Sequence, residues 1–322
     1  MANGDILILD GAISTEIERL GVRMDAAAWS AIANETHPEI VRAVHDSYLA
    51  EGADIIMANT YATAPHVLEV CGLRDEAAAI TRHAVEIARQ ARDAVADRPV
   101  YIAGSISHMP ALCQLGGHTQ DDAFAGYEAE YMGRTPRGEA AKASYREHAE
   151  ALAEAGVDVI MTEMRLDIEN AAIVTEAALA TGLPVWHGFS AEFAADGKTI
   201  VQWRGEQFTE MGPGPLGELI AAIVPLGGEL VGIMHSPSSV TGPALRIVRE
   251  HWSGPMSAYS ETGKFEIPKW KYVDTTKPGD YAAMALTWIE MGVQVVGGCC
   301  GTLPDHINAL KGTLPTSLPR AA

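Results

Sequence analysis

What this sequence lacks narrows its class before any motif is read. No apolar run approaches the ~18 residues that a membrane-spanning helix needs. The first residues, MANGDILILDG, carry no basic segment ahead of a long apolar stretch, so neither an anchor nor a secretory signal is expected. Basic residues are scarce: 23 Lys and Arg stand against 42 Asp and Glu, a net charge of -19. No Lys/Arg cluster interrupts that acidity, which removes the usual footprint of a nucleic-acid binder. The negative field favours cationic small molecules over anionic ones. Cysteine is sparse as well, with only Cys71, Cys113, Cys299 and Cys300. In a chain without an export signal these read as thiols of a cytoplasmic protein, not as a disulfide framework.

What is present is an ordinary globular composition, 48% hydrophobic and 20% charged over 322 residues. Short Val/Ile-rich runs recur along it. They are DILILDG (5–11), ADIIMANT (53–60), PVYIAGSI (99–106), VDVIMTE (157–163), PVWHGFS (184–190), LVGIMHS (230–236), MSAYSE (256–261) and VQVVGGCC (293–300). They lack strict alternation, as parallel strands covered on both faces do. Amphipathic stretches with apolar spacings of three and four fill the intervals, such as HPEIVRAVHDSYLAEGA, in which Pro38 opens a helix and Gly52 closes it. Eight alternating βα units without a composition break predict a single-domain (β/α)8 barrel, a TIM barrel, over residues 1–312, with a frayed tail at 313–322. Two long connections, 11–34 and 107–140, leave the C-terminal ends of the first and third runs, the face on which such barrels build their sites.

Polar residues gather at those run ends: Asp10 and Gly11, Asn59 and Thr60, Gly104 and Ser105, Glu163, Ser190, His235, Ser260 and Glu261, then Cys299 and Cys300. A buried carboxylate is costly unless partnered, so Asp10 and Glu163 need a ligand or a partner; capping the following helix is the structural alternative. The adjacent cysteines of VVGGCCGT are poor candidates for a bond to each other, because the ring would be strained. They read as two buried thiols, a redox pair, or two thiolate ligands of a soft metal. At the mouth of an eighth strand the metal reading gains weight. Zinc takes four ligands and catalytic sites leave one position open. Two neighbouring thiolates share one ion only if the backbone turns sharply, which Gly297 and Gly298 would allow. His235, ending the sixth run two strands away around the ring, is the candidate third ligand. Other barrel chemistries fit less well: no run contains a Schiff-base lysine, and the first run ends in LDGAIS, not in a His-x-His metal pair.

Taken together these residues resemble the zinc-dependent homocysteine S-methyltransferases, a family that includes S-methylmethionine- and betaine-dependent enzymes and the homocysteine-binding module of methionine synthase. LILDGAISTEIERLGV, WSA at 29–31, ETHPEIVRAVHDSYLAEGADIIMANTYAT at 35–63, AGSI at 103–106, EALAEAGVDVIMTEM at 150–164 and GGCCGTLPDHI at 297–307 occur in the family's order. The resemblance implies that Cys299 and Cys300 are zinc ligands and that Asp10, Gly11, Thr60 and Glu163 line a homocysteine pocket, Glu163 facing the amino group. It implies transfer of a methyl group from a sulfonium or betaine-type donor to the thiol, forming methionine, with Trp29 and Tyr61 as donor contacts.

One segment departs from the pattern. The family carries Gly-(Ile/Val)-Asn-Cys at the end of the sixth strand, and this chain has GIMHSP. Aligned on Gly232 the cysteine falls on His235; aligned on Ser236-Pro237 it falls on Met234. Cys113, in the long third connection with His108 and His118, is another candidate for the missing ligand. The loss also admits a related zinc barrel with a different acceptor or donor, or a descendant that binds thiol or metal without turnover.

Overall fold

All eight apolar runs form strands in the computed structural model, which describes residues 4–25, 28–95, 97–107, 138–164, 167–202, 214–266 and 271–318. The strands are β1 Leu7–Ile8, β2 Ile55–Met57, β3 Tyr101–Ser107, β4 Val159–Glu163, β5 Val185–Phe189, β6 Leu230–Pro237, β7 Met256–Glu261 and β8 Val293–Gly298. They pair in parallel in the order β1-β8-β7-β6-β5-β4-β3-β2. A parallel bridge from Leu9 to Ile55 joins the two ends, so the sheet closes on itself. Helices that include Pro38–Ala50, Ala77–Asp93, Gly138–Ala155, Ser238–His251 and Pro278–Glu290 wrap the outside. This is the expected (β/α)8 barrel.

Strand alternation divides the apolar residues into two layers. Leu9, Ile55, Val159, Met161, Trp186, Leu230, Met234, Tyr259 and Val295 fill the barrel interior. Ile56, Ile102, Ile160, Val231, Ile233, Ala258 and Val296 point outward into the helix layer. Along β4 the inward set is Val159, Met161 and then Glu163, so the same period of two that builds the core delivers a carboxylate to its top.

The lower end of the barrel repeats one device. Asp54, Asp158 and Glu229, each just ahead of an even-numbered strand, accept the N–H of a residue in the preceding strand. The bonds are Ile8 N at 3.0 Å, Ile102 N at 2.7 Å and Val185 N at 2.6 Å. Each satisfies a strand-start donor that the sheet leaves open.

The long connection 11–34 contains a helix, Ile13–Arg19, and another helix begins at Ala33. One expectation changes. The tail is not frayed at 316–318: Ile6 N donates to Thr316 O, Leu318 N donates to Gly4 O, and Asp5 bridges Ser317. Pairing with the first strand's approach supplies the partners that a free end would lack. No helix among the described residues is long and apolar enough to cross a membrane.

Candidate active site

Above the interior layer lies a cleft of about 700 Å³, counting its open mouth. Asp10, Gly11, Trp29, Tyr61, Glu163, His235, Cys299 and Cys300 all border it, and among the described residues no Lys or Arg does. Eight of the nine residues expected to line the substrate pocket or lead the metal set therefore meet in one place. Thr60 is the ninth, and the structure does not bring it to the wall. It is fully buried, and its hydroxyl donates to Ser105 O and accepts from Ser105 N, tying the end of β2 to β3. Cys113, His108 and His118 lie outside the described residues.

The sulfurs and one imidazole form a triangle. Cys299 Sγ lies 3.8 Å from Cys300 Sγ, and His235 Nδ1 lies 3.7 Å from the first and 3.4 Å from the second. All described cysteines are free thiols, as expected. The turn that aims two neighbouring cysteines at one point is not made by Gly297 and Gly298. Both are extended strand residues chosen for close approach: a Cβ on Gly297 would come within 2.6 Å of Leu9, and one on Gly298 within 2.1 Å of Thr302. The left-handed residue is Gly301, at φ 77°. Thr302 locks that turn, donating its N–H and its hydroxyl to Cys299 O at 3.0 and 2.6 Å.

His235 reaches the triangle through a β-bulge. Met234 pairs with Tyr259, whereas Pro237 pairs with Glu261, so three steps along β6 oppose two along β7. Simple alternation would send His235 outward, since Met234 already points in. The extra residue and a left-handed φ of 41° at His235 turn both inward. A non-glycine residue in that conformation costs about 1–2 kcal/mol, a strain of the kind that gathers at functional sites. Ser236 holds the bulge, donating to Met234 O at 2.7 Å and accepting Ala191 N at 2.8 Å. Met234 Sδ is engaged elsewhere, accepting the Ser190 hydroxyl at 3.1 Å. The one-residue ambiguity of GIMHSP is thus decided by geometry in favour of His235 as the group facing the sulfurs.

The electrostatics of the triangle are those of a proton-sharing set. The Cys299 thiol donates to Cys300 and holds the Cys300 thiol well below the usual thiol range, helped by His235 and by the Tyr272 hydroxyl. The same bond, with burial, pushes Cys299 up. Burial alone would lower His235, but the Cys300 thiolate and the Glu261 carboxylate outweigh it and raise the imidazole to about 9. A divalent cation entering here must displace the Cys299 and His235 protons.

Two carboxylates border the same cleft, Asp10 at the end of β1 beside β8 and Glu163 at the end of β4. Neither caps a helix. Asp10 Oδ2 accepts Met57 N at 2.8 Å, and Glu163 Oε2 accepts the Ser105 hydroxyl. Burial pushes Asp10 well up, and Glu163 adds to it. Burial raises Glu163 to about 7 against the Ser105 and Tyr259 hydroxyls, which favour its charged form. Two desolvated carboxylates, in a wall whose described residues include no Lys or Arg and whose His235 is turned to the sulfurs, make a receptor for a cation. Gly11 is required by the fold beneath them: a Cβ there would come within 2.7 Å of the Tyr48 ring. On the outer side Trp29 stacks on Tyr61 with centroids 5.8 Å apart and planes at 28°, and the Tyr61 hydroxyl donates to Met164 Sδ. Ser30, Asn34 and Asn59 bond one another beneath Trp29 and fix its loop. Tyr259 and Met164 were not singled out from the sequence. The inward alternation of β7 could have indicated Tyr259; nothing in the sequence signals the left-handed Met164.

Comparison with known proteins matches this architecture over nearly the whole chain. The family model described as Homocysteine S-methyltransferase covers residues 7–314. A selenocysteine methyltransferase of Astragalus bisulcatus is 27% identical, with 95% of this chain and 92% of the relative covered. The homocysteine S-methyltransferase of Escherichia coli is also 27% identical, with 95% and 94% covered. The metallated form of the E. coli homocysteine methyltransferase MmuM superposes with a TM-score of 0.71 at 26% identity over 96% of both chains. The chain is a methyltransferase that belongs to the homocysteine S-methyltransferase family.

Proposed function

We propose that this protein is zinc-dependent and transfers a methyl group from a cationic sulfonium or betaine-type donor to homocysteine, forming methionine. The observation that carries the metal is the size of the triangle. Zinc bonds of ~2.3 Å to sulfur and ~2.0–2.1 Å to nitrogen, set tetrahedrally, put sulfurs about 3.8 Å apart and sulfur and nitrogen about 3.6 Å apart. The donors here are 3.8 Å and 3.4–3.7 Å apart, with two thiols and an imidazole, a donor set that suits zinc. Cys299, Cys300 and His235 would hold the ion. Bound there, it supplies a Lewis-acid position that keeps the acceptor sulfur a thiolate at neutral pH.

The chain's own groups do the rest. Glu163 and Asp10 hold the acceptor's ammonium, and its arrival offsets the burial that raises both carboxyls. Trp29 and Tyr61 present an aromatic face on which a sulfonium or quaternary ammonium can rest. The step joins the acceptor sulfur to the methyl carbon as the donor's own bond to that carbon breaks, and the donor leaves neutral. Charge is neutralised, so the apolar wall of Met57, Met164 and Met234, which withholds water, favours it.

His235 in place of a third thiolate favours one second reading. A neutral ligand leaves the ion more positive and a sulfur bound to it less nucleophilic, which suits an acceptor intrinsically more nucleophilic than a thiolate, and the similar A. bisulcatus protein is a selenocysteine methyltransferase. A panel of homocysteine, cysteine and selenocysteine with S-methylmethionine, S-adenosylmethionine and betaine separates these. Methionine formed from homocysteine, and lost in Cys299→Ala, is the expected result. Turnover confined to selenocysteine would establish the second reading, and none with any pair would overturn both.

A further inference from the structure

A further carboxylate, partly buried at the strand ends, stands beside His235 and lies outside the cleft wall. Glu261 ends β7 two residues after Tyr259 and shares its inward side. The bulge sets it level with Pro237, next to His235. Its Oε2 lies 3.7 Å from His235 Nδ1, and its side chain is only 17% exposed. Unlike Asp10 and Glu163 it does not border the cleft. Its oxygens also fall outside the set of His235, Cys299 and Cys300 donors that lie within 4.8 Å of one another. It is therefore neither a substrate contact nor, as placed, a ligand. The charged groups acting on His235 are Cys300, Glu261 and Glu163, and Glu163 is turned toward the cleft and Ser105.

We infer that Glu261 is the carboxylate that completes the charge balance of the His235–Cys299–Cys300 metal site from outside it. Two thiolates and a neutral imidazole bring one negative charge fewer than three thiolates would. Beside Nδ1, the nitrogen that faces the sulfurs, the Glu261 carboxylate lies close enough to attract the dication through space. Glu261 is a positioning residue, and this role rests on the metal reading above.

The test is zinc affinity alone, measured by competition with a chromophoric chelator on the whole protein at constant pH. Glu261→Gln keeps the shape and removes the charge, and is expected to weaken zinc binding about 10–100-fold. Glu261→Asp keeps the charge and is expected to stay within about 3-fold of the native protein, a gap that separates charge from packing. The background decides further. In His235→Cys a third thiolate supplies the missing unit, so adding Glu261→Gln there is expected to cost nothing or to tighten binding. Equal losses in Gln and Asp, or an equal Gln loss in both backgrounds, would make Glu261 structural and overturn the inference. Native protein that binds zinc with no change in Glu261→Gln overturns this inference alone, whereas native protein that binds none overturns the metal reading with it.

Discussion

At the N-terminal end of the strands, Asp54, Asp158 and Glu229 each accept a neighbouring strand's N–H. At the C-terminal end, Asp10 and Glu163 face one cleft whose described wall has no Lys or Arg, and burial raises both. The residue type is the same and the energetic sign is opposite. Below, a carboxylate satisfies a donor and contributes to folding. Above, two carboxylates are desolvated, Asp10 even though it accepts Met57 N, and that burial costs stability until a cation arrives. The strained His235 belongs with the upper pair. One end of the barrel holds the fold, and the other holds unmet demands that a ligand and a metal satisfy.

That contrast is most easily broken at the cysteines. Cys299→Ala removes a side of the metal triangle and is expected to lower methyl transfer at least about 1000-fold, with the circular dichroism spectrum unchanged. A collapse of the spectrum would mean that the upper end is holding the fold after all.

Glu163→Gln separates the upper end's two roles. Loss of a charge that meets the acceptor's ammonium is expected to cost about 100-fold in kcat/KM for the acceptor. Because Glu163 titrates near 7 in the free site, native kcat/KM is expected to rise with pH up to about 7 and then level, and that limb should vanish in the variant. A limb that persists assigns the titration to another group.

The same substitution should also stabilise the ligand-free protein. Glu163's folded pKa, about 7, lies above its ordinary 4.5. Between those values the folded state binds more protons than the unfolded one, so stability falls as pH rises, and the loss is complete above 7. Glu163→Gln is therefore expected to raise Tm at pH 8, by up to about 3 kcal/mol of stability, and to leave it unchanged near pH 4. A lower Tm at pH 8 would contradict the contrast between the two ends.

The smallest effect is expected below. Asp158→Ala leaves Ile102 N–H buried without its acceptor and should cost about 1–3 kcal/mol in denaturant unfolding. Methyl transfer at 25 °C should be unaffected, and a fall in activity without a fall in stability would tie the lower end to function.

Much of this was legible in the chain itself. The period of two along VDVIMTE places Glu163 over the core, and eight βα units bring Asp10, His235 and the cysteines to one rim, because a closed ring has only one C-terminal face. Three features were not. The bulge at His235 is a matter of register between β6 and β7, and register depends on both strands, so GIMHSP alone leaves Met234 and His235 equivalent. Gly297 and Gly298 read as a turn because glycine serves equally for close packing, and only the positions of Leu9 and Thr302 distinguish the two. Thr60 lies at a run end like its neighbours, but its hydroxyl is taken by the backbone of Ser105, a long-range contact that the run ends alone do not reveal.

The most direct test of the site is zinc content per chain in the native protein, Met234→Leu and His235→Ala, purified and reloaded side by side. About one zinc per chain in the native protein and in Met234→Leu, with a sharp loss in His235→Ala, is the expected result. Zinc retained in His235→Ala, or lost in Met234→Leu, would contradict the assignment of the bulged histidine to the metal.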